Sequence, residues 1–327
     1  MRRPPIRSIW RSSEIGLAKG ARLRLRGAVS QPSHQNVGAG IALRLGAVVC
    51  MGTMSALVKM AAERGAHTFE IVFFRNFFAF FPILAYIAAT QGLSVLKTRR
   101  PLGHVVRAAI GICGMMCGFA ALPRLPLAEF TAITFAAPLL ITALSVPVLK
   151  EKVGPHRWAA VLIGFLGVMV MVRPDPQHFV GLGPLLAIGQ ALGTAGAMLA
   201  IRQLGATEPG PTIVFYFTLA AAVVGGVLTP FVWTQPTAEL LVILILTGIA
   251  GGIGQLLLTQ AFKIAPAALI APFEYASLIW TGLIGYLVWM ETPAVTTIVG
   301  GLIVAASGLY IFWRETGGRG GGKARGG

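Results

Sequence analysis

The chain has 327 residues, of which 55% are hydrophobic and 12% are charged, and its formal net charge is +16. A soluble globular domain carries roughly 25% charged residues, so this composition excludes an ordinary soluble protein. Only a membrane can solvate so much apolar surface. The positive charge follows a membrane-topology pattern, described below, and a nucleic-acid partner is not needed to explain it.

Ten apolar segments follow one another along the chain. About 20 residues are needed for a helix to cross the hydrocarbon core, and each segment is close to that length. Proline-rich loops separate several of them, such as residues 173–176 and 208–211. The sequence therefore predicts an all-α integral membrane protein with ten transmembrane helices, at residues 40–61, 68–90, 103–122, 127–149, 156–172, 182–203, 211–233, 238–262, 266–289 and 294–313.

Basic residues lie mainly in the two tails and in the loops after even-numbered segments. These loops contain Lys97, Arg99, Arg100, Lys150, Lys152, Arg157, Arg202 and Lys263. The loops after odd-numbered segments contain Arg64, Arg124 and Arg173. The positive-inside rule predicts from this bias that both termini are cytoplasmic.

The basic N-terminal tail, residues 1–37, is open to two interpretations. A solvated arm that contacts the anionic inner leaflet is favoured over a targeting segment, because the tail has no apolar signal-peptide core. The other tail, residues 314–327, is rich in glycine and arginine.

An internal repeat divides the chain into two halves. Pro126 to Glu151 and Pro266 to Glu291 have the same spacing, with every pair 140 positions apart. At the same offset Gly111 matches Gly251, Gly114 matches Gly254, Ala128 matches Ala268 and Leu162 matches Leu302. Five helices per half is an odd number, so the second half must begin on the opposite side of the membrane. We predict two inverted repeats, residues 38–173 and 178–313, which are typical of secondary transporters.

Motifs in both halves carry a likeness to a known family. The first half contains Gly118–Leu122 (GFAAL), Leu127–Ala132 (LAEFTA), Pro138 and Glu151. The second contains Gln260–Ala268 (QAFKIAPAA), Ala271–Tyr275 (APFEY) and Glu291, and Phe74-Arg75 also fits. Over roughly residues 40–313 the chain resembles the drug/metabolite transporter superfamily, EamA type. The first half departs from the pattern in having Lys150, where glycine is usual, before Glu151.

The resemblance implies ten helices in two EamA repeats and carrier-mediated movement of small organic solutes across a bacterial inner membrane. It leaves the solute open, because relatives export amino acids or drugs and others import metabolites.

Two charged residues are predicted to lie deep in the membrane, where a charge is costly and a functional role is the default reading. Arg75 lies about 7.5 Å beyond Glu70 along its helix, and Glu274 lies about 12 Å beyond Pro266. Pro272 interrupts the helix beside Glu274, and interrupted helices at the midplane are where secondary carriers bind solute. The alternative is a structural ion pair between Arg75 and Glu274.

Polar residues near Glu274 extend the predicted binding site. Ser277 and Thr281 share its helix face, and Thr134 is its repeat-related position. We predict that the solute is bound by Arg75, Glu274, Tyr275, Ser277, Thr281, Thr134 and Gln255, with Gln190 and Gln260 as secondary candidates. Glu274 is also the predicted proton-coupling residue, since a midplane carboxylate can carry a proton.

Other charged residues receive structural interpretations. Lys59 is expected to snorkel to the interface, and for Glu70 snorkelling and function are equally favoured. Arg107 is taken as a positive-inside residue, and Glu129 as a partner of the helix dipole.

The predicted function is secondary transport. No GxxxxGK[ST] motif supports direct ATP drive, and no cofactor or metal is expected. The three cysteines, Cys50, Cys113 and Cys117, are interpreted as small buried hydrophobes. The alternatives are a membrane-embedded enzyme, disfavoured because the histidines lie in the tail, loops or helix ends, and an accessory subunit without flux. The expected partners are a small-molecule solute and the lipid bilayer, with a homodimer as an alternative to a monomer.

Overall fold

The computed structural model describes residues 37–150, 154–172, 181–205, 207–265 and 267–317. Most of both tails, together with Glu151, lies outside this part of the chain. The described residues form α-helices and short 3-10 helices. The α-helices are α1 (Val37–Glu63), α2 (Thr68–Thr90), α3 (Pro101–Ala121), α4 (Leu127–Thr134), α5 (Ala137–Leu149), α6 (Pro155–Val172), α7 (Leu182–Leu204), α8 (Gly210–Leu228), α9 (Ala238–Ile264), α10 (Ala267–Ile270), α11 (Ala276–Trp289) and α12 (Val295–Gly317).

Helical structure occupies each of the ten apolar segments. Seven helical segments of the described chain are long and apolar enough to cross a membrane by themselves: Val37–Glu63, Thr68–Thr90, Pro101–Arg124, Leu127–Leu149, Leu182–Leu204, Gly210–Phe231 and Ala238–Phe262. Trp158–Val172 and Val295–Ile311 are shorter apolar helices. Large apolar side chains such as Leu102, Ile279 and Leu302 are exposed on the surface, where lipid can solvate them. The protein is therefore a multi-pass membrane protein.

Contacts between distant loops define the two ends of the helix bundle. At one end, the Glu70 carboxylate accepts a hydrogen bond from the backbone N–H of Thr234 at 2.8 Å. At the other, the Glu208 carboxylate accepts one from the backbone N–H of Arg99 at 2.9 Å. We refer to these as the Glu70 end and the Glu208 end.

Helix pairing follows the sequence repeat. The most extensive contacts join α1 to α9, α3 to α7, α6 to α12 and α2 to α8. In the repeat, α1, α2, α3 and α6 correspond to α7, α8, α9 and α12. The equivalent of the α1–α9 pair is therefore the α7–α3 pair. The α6–α12 and α2–α8 pairs are each their own equivalent. The packing therefore has the approximate two-fold pattern of a duplicated chain.

Repeat-related positions also share unusual backbone geometry. Lys150 and Met290, which are 140 residues apart, are the non-glycine residues with positive φ in the described chain, at 54° and 55°. Each ends a helix in the left-handed conformation, with its N–H bonded to the carbonyl of Ser145 or the equivalent Gly285. Glycine adopts this conformation more easily than other residues. This explains why the resemblance to the EamA type leads one to expect glycine at the position of Lys150.

Both repeat-related segments are interrupted at the same place. In the first half, α4 ends at Thr134 and α5 begins at Ala137. In the second half, a 3-10 helix, Ala271–Tyr275, containing Pro272, separates α10 from α11. The rings of the equivalent residues Phe135 and Tyr275 contact each other edge to face, with centroids 5.0 Å apart. Two equivalent residues can touch only near the axis that relates the halves, so both interruptions lie at the centre of the molecule.

Candidate functional site

A cavity of about 550 Å³ lies beside these two interruptions. It is bounded by residues from both halves of the chain. All seven residues predicted from the sequence to bind solute line it: Arg75, Thr134, Gln255, Glu274, Tyr275, Ser277 and Thr281. The structure thus brings together side chains from α2, α4, α9 and α11 and from the 3-10 helix before α11. That they bind solute remains a prediction.

Glu274 pairs with a residue that the sequence did not single out. Its Oε2 lies 2.9 Å from Nη2 of Arg44 on α1, and the Arg44 side chain is 6% exposed while that of Glu274 is 56% exposed. The suggested ion pair between Arg75 and Glu274 is therefore wrong. Arg44 reaches the carboxylate because α1 packs against the 3-10 helix that holds Glu274. Glu274 keeps much of its surface open to the cavity.

Arg75 is a buried side chain with one polar neighbour in the described structure. Its Nη1 donates a hydrogen bond to Oδ1 of Asn76 at 2.8 Å, while its Nε has no partner among the described residues. The guanidinium packs against Gly251 on α9, where a Cβ would lie 3.1 Å from Nε. A glycine at this position therefore leaves room for the arginine.

Arg107 on α3 also lines the cavity, which corrects its interpretation as a positive-inside residue. Its guanidinium lies over the ring of Phe217, with Cζ 3.9 Å from the centroid, in a cation–π contact. Gly111 gives it space, because a Cβ there would lie 2.5 Å from Nη1. Gly111 and Gly251 are repeat-related, and each of these two glycines accommodates one first-half arginine.

Uncharged polar groups complete the lining. The hydroxyls of Thr131, Thr134 and Thr281 donate to carbonyls of their own helices, which leaves their oxygen lone pairs for a ligand. Gln190 packs in the space left by Gly118, and its Oε1 has no partner among the described residues. Gln260, a secondary candidate, bonds the Tyr86 hydroxyl at 2.6 Å and is not among the lining residues.

The rest of the lining is apolar and partly flexible. It includes Met51, Met54, Met115, Phe119 and Phe130. Methionine side chains adapt their shape to a ligand, and aromatic rings offer flat apolar surface. Such a cavity suits an organic molecule that also carries polar groups.

Towards the Glu70 end, a largely buried ion pair links α1 to a residue just after the end of α11. The ammonium group of Lys59 bonds the Glu291 carboxylate and donates to the Leu125 carbonyl at 2.9 Å. The second oxygen of Glu291 accepts the Leu127 N–H at 2.9 Å. The Lys59 side chain is 5% exposed, so it does not snorkel as expected.

The remaining charged candidates have structural partners. Glu70 is buried and caps α2 through the His67 N–H while also holding Thr234, so neither snorkelling nor solute binding is needed to explain it. Glu129 lies in the first turn of α4, as expected. Among the described residues no group of three His, Cys, Asp or Glu side chains could hold a metal ion. The described cysteines are free, and Cys113 is exposed rather than buried.

Arg44 was overlooked because it lies close to a basic tail and near the start of its helix. A usable signal was present, however. Arg44, Met51 and Ser55 are spaced at i, i+7 and i+11, which places them on one helix face. All three line the cavity.

Comparison with known proteins gives the class of this chain. The model of the EamA-like transporter family matches residues 38–173 and again residues 181–313. The chain therefore belongs to the EamA-like transporter family, and it carries two EamA matches. Transport, rather than catalysis, is the activity that the family name and the relatives' names describe.

The chain matches curated relatives over most of their length. The S-adenosylmethionine uptake transporter of Rickettsia prowazekii (strain Madrid E) is 30% identical over 76% of this chain and 84% of that protein. The pseudopaline exporter CntI of Pseudomonas aeruginosa (strain UCBPP-PA14) is 29% identical over 82% and 94%. The riboflavin transporter of Rhizobium johnstonii is 29% identical over 74% and 80%.

A solved crystal structure has the same fold. It superimposes with a TM-score of 0.59 at 21% identity and covers 85% of this chain and 99% of its own. At this identity the likeness concerns the fold alone.

Proposed function

We propose that this secondary transporter moves a small organic solute through the cavity beside Glu274 by alternating access. The observation that carries the proposal is the position of Glu274, which pairs with buried Arg44 and is 56% exposed to the cavity. A charge placed deep among membrane helices and open to a cavity is available to a solute. Relatives named for S-adenosylmethionine, pseudopaline and riboflavin support a metabolite-sized cargo.

The proposal includes ten membrane crossings arranged as two inverted five-helix repeats. The symmetric helix pairing, the matching helix ends at Lys150 and Met290 and the two EamA matches support it. The segment from Ala267 to Trp289 would cross as a broken helix. One chain supplies the whole cavity lining, so a homodimer is not required for binding.

In the proposed orientation the Glu208 end faces the cytoplasm of a bacterial cell, across its inner membrane. The cavity lining includes Met198 and Ile201 in the last two turns of α7, close to this end. The Lys59–Glu291 pair lies on the other side. The described conformation would then face inward. Uptake and export both occur among the relatives' names, so the gradients decide the direction.

Orientation can be tested with single cysteines in a background without Cys50, Cys113 and Cys117. Lys97 and Gln235 are both exposed and lie near opposite ends of the bundle. A membrane-impermeant maleimide should label Gln235→Cys, but not Lys97→Cys, in intact cells. The reverse labelling pattern would contradict the proposed orientation.

Glu274 is proposed as the proton-coupling residue. When solute or a conformational change separates it from Arg44, the carboxylate can take up a proton on one side and release it on the other. In proteoliposomes, an imposed pH gradient should then drive solute accumulation. Indifference to the pH gradient would leave facilitated exchange as the mode of transport.

The decisive variant is Glu274→Gln, which removes the charge with little change in volume. We expect solute flux to fall at least about tenfold, the size of effect of losing one charged contact. The melting temperature should change little, because the glutamine Oε1 can still accept a hydrogen bond from buried Arg44. Glu239→Gln is the matched control, since Glu239 is an exposed acid paired with Arg64 at the Glu70 end. Normal flux in Glu274→Gln would remove this residue from the mechanism.

A further inference from the structure

The charged lining of the cavity is unbalanced. Arg44, Arg75 and Arg107 are the cationic residues among those that line it, and Glu274 is the acidic one. Arginine stays protonated in proteins, so three positive charges minus one negative charge leave a net charge of +2. Buried charges are normally neutralised by partners, since an unpaired charge away from water is costly. This cavity is two negative charges short.

The arginine N–H groups are also short of acceptors. Arg44 Nε, Arg75 Nε, and Arg107 Nε and Nη1 are buried and have no hydrogen-bond acceptor among the described residues. Arg44 is 5% exposed and Arg75 is 9% exposed, so both are more than nine-tenths buried. A buried donor without an acceptor costs roughly 1–3 kcal/mol, more if charged. The three arginines that carry these donors line the cavity, where a ligand can supply acceptors to their guanidinium groups.

A glycine from each half provides space for two of these arginines. Gly111 accommodates the Arg107 guanidinium and the repeat-related Gly251 accommodates that of Arg75. Phe217 holds Arg107 from one face. Glu274 holds only Arg44. Two of the three guanidinium groups are therefore placed by glycine and aromatic packing and have no carboxylate partner among the described residues.

We infer that the transported solute is an organic anion carrying two negative charges, such as a dicarboxylate or a phosphate monoester. Guanidinium groups bind carboxylate and phosphate through paired charge-assisted hydrogen bonds. Two such charges would bring the net charge of the cavity from +2 to zero. The apolar lining, with Met51, Met115 and Phe119, takes the organic part of the solute. That this anion is carried across the membrane rests on the proposed function.

Binding by the purified full-length chain in lipid nanodiscs tests the charge preference. The probes are succinate and glycerol 3-phosphate as dianions, lactate as a monoanion, and choline and S-adenosylmethionine as cationic probes. We expect at least one dianion to bind about tenfold or more tightly than lactate and to be unaffected by excess choline. Failure of both dianions to bind, or binding of a cationic probe that resists both dianions, overturns the inference.

Matched variants then identify the groups responsible. Arg75→Gln and Arg107→Gln should each weaken dianion binding at least about tenfold and reduce the preference over lactate. Lys97→Gln removes the same charge from an exposed position outside the cavity lining and should leave binding unchanged. Unchanged dianion binding in both arginine variants overturns the inference. If one arginine variant does not fold, the other and the wild-type competition still decide it.

Flux measurements separate this inference from the proposed function. Dianion binding without flux of any probe in proteoliposomes would contradict the transport proposal and keep the anion site. Flux of a cationic or neutral solute that dianions do not inhibit would keep transport and overturn the anion site.

Discussion

Two ion pairs join α1 to the broken segment that contains α10 and α11, one before α11 and one just after it. The surroundings of the two pairs differ. Arg44 pairs with Glu274 and Lys59 pairs with Glu291, and both cations are buried. Lys59 also bonds the Leu125 carbonyl, and Glu291 also bonds the Leu127 N–H, so the pair is surrounded by further partners. In the Arg44–Glu274 pair, Arg44 Nε has no described partner and the carboxylate is largely exposed to the cavity.

The contrast separates an ion pair whose polar groups are satisfied from one whose polar groups are not. A buried pair repays its desolvation cost only when further hydrogen bonds satisfy the remaining polar groups. Lys59–Glu291 meets that condition and links α1, the start of α4 and the end of α11. Arg44–Glu274 does not meet it, and this free hydrogen-bonding capacity is consistent with the proposed role of Glu274 in binding solute or a proton.

The largest expected effect is on stability, from breaking the satisfied pair. Lys59→Met leaves Glu291 without its cation, and removing one partner of a buried pair costs about 3–5 kcal/mol. We expect a clear fall in the unfolding midpoint in detergent. Replacing both partners, as Lys59→Met with Glu291→Leu, should recover most of the loss, since an apolar pair can substitute for a buried ion pair.

The control for that effect is the exposed pair between Arg64 and Glu239, whose side chains are 37% and 69% exposed. Exposed pairs contribute about 0–1 kcal/mol. Arg64→Met should therefore shift the midpoint far less than Lys59→Met. Equal shifts in the two variants would show that Lys59–Glu291 is not the structural contact described above.

The second prediction concerns the cavity pair and has a smaller effect on stability. Exchanging the charges, as Arg44→Glu with Glu274→Arg, keeps an attractive pair while it moves the acid onto α1. We expect the double variant to be more stable than Arg44→Glu alone, where two acids face each other. Solute flux should remain low in both, because the position of the charges in the cavity has changed. Recovery of flux in the double variant would mean that the pair acts only as a structural contact.

The sequence predicted the apolar segments well, because lipid solvation imposes a strong length and polarity pattern on the chain. The seven residues predicted to bind solute do line the cavity, although their binding role stays a prediction. The signal for Glu274 was its place next to the interrupting Pro272, which is rare for a charge in a membrane segment. The sequence did not predict which charged residues pair with each other. Whether Glu274 meets Arg75 or Arg44 depends on how α1 and α2 pack around the 3-10 helix. The same limit explains Lys59, whose burial depends on Leu125 and Glu291, far away in sequence.

The smallest expected effect comes from a third acid, which holds the Glu208 end together. The backbone N–H of Arg99 bonds the Glu208 carboxylate and lowers its pKa below the ordinary value, with help from Thr98 and His104. A lowered pKa in the folded state means that the contact stabilises the protein above the unfolded-state pKa. That contribution is lost as the pH falls through the folded-state pKa.

We expect the unfolding midpoint of the wild-type protein to fall on acidification more than that of Glu208→Gln. In Glu239→Gln, whose substitution lies at the opposite end, the unfolding midpoint should fall with pH as much as in the wild type. If the unfolding midpoints of wild type and Glu208→Gln fall equally with pH, this loop contact contributes no stability, unlike the satisfied pair at Lys59.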